Sequence, residues 1–101
     1  MLKLLKEVFK MAFMGGSSFA MAQSLMEGYI IPSPVNLKRL TVEELRELLF
    51  EIEKLLREKR SLVIDPNDFP SLRDRNQRVI KLQSAQVAIS NILQLKLKGR
   101  I

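Results

Sequence analysis

Thr41–Arg60 reads TVEELRELLFEIEKLLREKR, and the fold can be worked out from this stretch. Leu45, Leu48, Ile52 and Leu55 recur at a 3-4-3 spacing, which stacks them on one face of an α-helix; Leu49 and Leu56 widen the stripe. Thr41 stands three residues before Glu44, the spacing of a capping box. Leu40 and Leu45 hold the two positions of a hydrophobic staple. Glu53 and Arg57 add an i, i+4 pair in the favourable order. These local signals agree, and they predict a helix over 42–60.

Downstream, residues 61–71 (SLVIDPNDFPS) read as a loop, with Leu62-Val63-Ile64 extended as a short strand. Asp65, Asn67 and Asp68 suit turn chemistry better than a calcium loop, because the glycine and terminal glutamate of such a loop are missing. Ser71 is the expected cap of a further helix, with Asp74 at its third position. Val79, Leu82, Ala85, Ile89 and Ile92 share one face of that helix, and Leu93 lies beside them. Leu93, Leu95 and Leu97 then alternate with Gln94, Lys96 and Lys98, so the tail is expected to turn extended before Gly99. Residues 41–98 thus form an antiparallel helical hairpin.

Upstream, residues 1–29 read as one long, apolar helix. Lysines 3, 6 and 10 alternate with apolar residues, and Met11 to Met26 carries no charge. Gly28 is placed to end it in a left-handed cap. The run IIPSP at 30–34 opens a linker over 30–40, since each proline disfavours a helical residue before it. A chain of 101 residues is a single domain at this size. The expected fold is all-α, with three helices.

Composition excludes more function than it assigns. The chain has no cysteine and no histidine, so thiolate nucleophiles, imidazole bases and the usual zinc ligands are excluded. No nucleophile or phosphate loop stands beside a carboxylate pair, so neither catalysis nor a cofactor or metal is expected. The most distinctive pattern is a ladder of small residues, Ala12, Gly16, Ala20, Ser24 and Gly28, one every four positions. On a helix it makes a smooth groove for a closely approaching neighbour, either within this chain or in another. Sixteen uncharged residues fall short of the roughly 20 that a bilayer span needs. A helix lying on a membrane surface is the alternative use of this segment. Leading lysines and Ala20-Met21-Ala22 also fit a secretory leader cleaved after Ala22. Otherwise a cytoplasmic protein is expected.

A second cluster is basic. Arg57, Lys59 and Arg60 end the first hairpin helix, whereas Arg73, Arg75, Arg78 and Lys81 begin the next; a hairpin brings both groups to one end. Arginines at a helix N-terminus oppose its dipole, which invites a phosphate or acidic partner, unless Asp65, Asp68 and Asp74 neutralise them locally. LTVEELRELLFEIEKLLRE at 40–58 followed by RVIKLQSAQVAISNIL at 78–93 resembles the helical-hairpin ribosomal proteins of the exit-tunnel rim. That resemblance implies RNA contact through a basic second helix, where this chain has Gln83, Ser84, Gln86 and Ser90. The leading expectation is a non-catalytic interaction protein. It self-associates or joins a larger complex through the ladder and the stripe Leu45, Leu48, Ile52 and Leu55. A small RNA- or ribosome-associated hairpin and a peripheral membrane protein are the alternatives.

Overall fold

The computed structural model describes residues 17–99, whose regular structure is all helical, without strands. Four helices follow in order: α1 (Ser18–Glu27), α2 (Pro34–Leu37), α3 (Val42–Arg60) and α4 (Phe69–Leu97). The expected long first helix is shorter at both ends. Ser17 is extended (φ −156°, ψ 163°), and its hydroxyl accepts from the Ala20 N–H at 3.0 Å, so α1 begins with a cap of its own. What was expected of residues 1–16 lies outside the described residues. Gly28 closes α1 as expected, at φ 84°. Its N–H donates to Leu25 O, and the Tyr29 N–H donates to Ser24 O at 2.9 Å, the paired bonds of a Schellman turn.

The linker is not wholly extended. Ser33 and Pro34 are a ready-made cap and first residue, because proline's missing N–H and fixed φ suit a helix start. They nucleate the single turn α2, with the Ser33 hydroxyl accepting from the Asn36 N–H at 3.3 Å. This turn carries Leu37 and Leu40 into full burial, so the linker supplies part of the core.

α3 keeps its predicted bounds and its capping box. The Thr41 N–H donates to Glu44 Oε1 at 2.9 Å, and the Glu44 N–H donates to Thr41 Oγ1 at 3.1 Å. Its ion pair is Lys54–Glu51 at 3.5 Å, rather than Glu53–Arg57. Leu62-Val63-Ile64 forms no strand among the described residues. α4 starts before the expected Ser71: Asp68 is the cap, accepting from the Ser71 N–H at 3.3 Å, with Pro70 in the first turn. Asp65 turns the loop by accepting from the Asn67 N–H at 2.9 Å. The tail of α4 stays helical to Leu97, because Gln94, Leu95, Lys96 and Leu97 include no helix breaker; Gly99, at φ 72°, follows the end.

Lys96, near the end of α4, donates through Nζ to the carbonyls of Lys38 and Leu40, just before α3. The end of α4 therefore lies beside the start of α3, and the two run antiparallel. α1 packs across both. Met21, Leu25 and Met26 join Leu45, Leu48 and Ile52 of α3 and Leu82, Ala85 and Ile89 of α4 in one core.

Candidate interaction surface

The leucine stripe, expected to serve as an interface, faces inward. Leu45, Leu48 and Ile52 are fully buried and Leu55 is 5% exposed, all within this chain's own core. The physical reason is the small core. In a domain this small the hairpin needs this stripe to hold α3 on α4, and nothing remains of it for another chain.

The ladder is only partly described: Ala12 and Gly16 lie outside the described residues. Ala20 and Ser24 are half-buried and Gly28 is exposed. The buried face of α1 belongs instead to Met21, Ala22, Leu25 and Met26. Ala20 and Ser24 line a shallow hollow of about 260 Å³ with Gln23, Glu27 and Tyr29. Gly28 has a conformational reason to be glycine, its positive φ. A cut after Ala22, as in the leader reading, would remove Met21 and Ala22 from the core.

The basic residues do not form one patch. Lys59, Arg75 and Arg78 line a groove of about 480 Å³ with Leu62, Ile64 and Asp74, where the loop meets α4. Arg78 is engaged within the chain. Its Nη1 lies 3.0 Å from Glu27 Oε1, its Nη2 donates to Glu27 Oε2, and its Nε lies 3.1 Å from Asp74 Oδ2. The Arg75 Nε donates to Asn76 Oδ1 at 3.1 Å. Arg57, Arg60 and Arg73 are exposed and lie outside the groove. Lys81 sits apart from the cluster, with its ammonium against Gly28.

One surface escaped the sequence reading. Ile31, Pro32 and Ile80 wall a cleft of about 330 Å³ that reaches down to Leu25 and Ile30, with Lys81 and Ser84 at its side. Ile31 is 75% exposed and Ile80 is 63% exposed. Val87, seven residues after Ile80 and so on the same face of α4, is 60% exposed. Only part of it had a sequence signal, the charge-free run from Leu82 to Leu95, which includes Ser84 and Val87.

Among the described residues no group of His, Cys, Asp or Glu could hold a metal ion. No helix among them is long and apolar enough to cross a membrane. In comparisons with known proteins, no family model matches the chain, and neither a curated protein nor a solved structure is similar to it. The likeness to ribosomal hairpins therefore rests on the two quoted stretches alone.

Proposed function

We propose that this is a non-catalytic helical assembly protein, which joins a larger complex or a second copy of itself through apolar surface left open on its hairpin. The observation that carries this reading is apolar surface left open on and beside α4: Ile31 and Ile80, both more than half exposed, wall a cleft, and Val87, also more than half exposed, lies further along the same face of α4. Exposed apolar surface beside a cleft marks interaction sites. The absence of cysteine and histidine supports the non-catalytic half.

The RNA reading has less support. Arg78, central to the basic cluster, is held by two carboxylates, and the remaining cations are dispersed. The membrane reading rests mainly on Lys3, Lys6 and Lys10, which lie outside the described residues. Size-exclusion chromatography with light scattering, on the protein at its natural abundance and on the purified chain, tests the proposal. The expected result is a species of at least twice the monomer mass. A strict monomer in both preparations would end it.

A further inference from the structure

We propose, building on the assembly reading, that the outer face of α4 docks an amphipathic helix of another protein, one whose apolar stripe is flanked by acidic residues. The first argument is the distribution of charge. Residues 1–74 are balanced, so the entire net charge of +6 resides in residues 75–101. That part holds Arg75, Arg78, Lys81, Lys96, Lys98 and Arg100 and contains no carboxylate.

The second argument is where two of those cations, Lys81 and Lys98, stand, together with Arg73 from the balanced part. Asn76, Ile80, Gln83, Val87, Asn91 and Gln94 follow one another at spacings of four and three, and every one of them is exposed. They draw a straight, uncharged line opposite the buried face of α4, about 27 Å long at 1.5 Å per residue. A line exposed only to water has no need to be free of charge, whereas the centre of an interface does. Exposed Arg73 and Lys98 stand at its two ends, and exposed Lys81 lies at the rim of the cleft beside Ile80. None of these three has a carboxylate within ion-pair distance among the described residues.

The occupant follows from that pattern. A straight, narrow, apolar-amide line fits a helix, whose side chains at i, i+3, i+4 and i+7 would seat against Ile80 and Val87 and enter the cleft. Cations at both ends call for carboxylates at both ends of the partner. A second copy would bring its own Arg73, Lys81 and Lys98 against the same charges. A nucleic-acid strand, with a phosphate about every 3.4 Å, would find only Lys81 beside the line between Arg73 and Lys98.

The test uses the full chain and two synthetic amphipathic helical peptides with the same leucine stripe, one with paired glutamates at both ends and one with paired lysines. Binding is read by fluorescence anisotropy, and sedimentation equilibrium is run alongside. The expected result is binding of the glutamate peptide at least tenfold tighter than the lysine peptide at low salt. That preference should fade above 0.5 M salt, and Val87→Glu should lower affinity at least tenfold. Val87 is exposed, so Val87→Glu should leave thermal unfolding unchanged, and K81E/K98E should invert the preference between peptides. Equal binding of both peptides, or no effect of Val87→Glu, would overturn the proposal. So would a dimer dissolved by Val87→Glu, which assigns the face to a second copy, or duplex RNA that competes with the peptide. A natural complex that keeps its size in Val87→Glu would refute this face alone; a natural monomer would refute the assembly reading as well.

Discussion

The two helices of the hairpin solve the same packing problem with opposite surfaces. α3 buries Leu45, Leu48, Ile52, Leu55 and Leu56 and covers its outer side with Glu43, Arg46, Glu47, Glu53, Lys54, Arg57 and Glu58. α4 buries a matching row, Leu82, Ala85, Ile89 and Ile92, yet carries no charge at all between Leu82 and Leu95. Each row meets the other, so their inner faces are equivalent. The difference lies outside. α3 shows water mainly charged groups, with Phe50 its one large exposed apolar side chain, whereas α4 has aliphatic and amide groups on both sides. A helix apolar on more than one face is one that expects more than one neighbour.

The comparison can be broken most directly by truncating one aliphatic side chain on each face. Leu48→Ala removes a fully buried group and should cost about 2–5 kcal/mol in denaturant unfolding. Val87→Ala, on the outer face of α4, should change stability by less than about 0.5 kcal/mol. A similar loss at both positions would mean that Val87 is structural, and the contrast between the two helices would disappear.

Gly28 sharpens the account of α1, which leans on both helices. Alanine there would take a left-handed conformation, at about 1–2 kcal/mol, and its Cβ would come 3.1 Å from the Lys81 ammonium. The ammonium is the far end of a flexible chain and can move aside, so the backbone term should dominate. Thermal unfolding of Gly28→Ala should therefore show the same loss whether or not Lys81 is also replaced by alanine. A loss relieved by Lys81→Ala would make the contact, not the φ angle, the reason for glycine.

How legible each helix was follows from the same contrast. α3 is written in local chemistry: Thr41 and Glu44 satisfy each other's backbone, Leu40 and Leu45 fix the entry, and charges mark the wet side. Its bounds could be read closely. α4 has weaker local signals. Its start was misplaced because Asp68 and Ser71 are both good caps, and Pro70 favours the earlier one by fitting the first turn. Its end was misplaced because the alternation of Leu93, Leu95 and Leu97 mimics a strand, although helix 4 is held there by Lys96 reaching back to the carbonyls of Lys38 and Leu40. Contacts across more than fifty residues, such as this one and Arg78–Glu27, have no local signature. The candidate surface was hidden for a related reason. Ile80 and Val87 look like core residues until burial shows that Leu82, Ala85 and Ile89 have already filled that role.

The caps give a smaller test of the same idea. Thr41→Ala breaks a reciprocal pair and should cost about 1 kcal/mol. Asp68→Ala breaks a single 3.3 Å bond in an exposed turn and should cost less than Thr41→Ala. Equal losses in chemical denaturation would show that α4 depends on its local start as much as α3 does.

A further small effect concerns Arg78, which ties α1 to α4. Its guanidinium meets both Glu27 oxygens, and the two side chains are 28% and 33% exposed, so water screens the pair substantially. A double-mutant cycle with Glu27→Gln and Arg78→Met should give a coupling of about 0.5–1 kcal/mol, and 1 M salt should reduce it. Asp74, four residues before Arg78, holds the same guanidinium at Nε and should keep it oriented when Glu27 is changed. Adding Asp74→Asn should then weaken the remaining Glu27–Arg78 coupling, because the arginine loses the group that fixes its fork. If the coupling is unchanged by Asp74→Asn, the packing of α1 alone positions the arginine. The ion pair would then owe its geometry to α1 docking and not to Asp74.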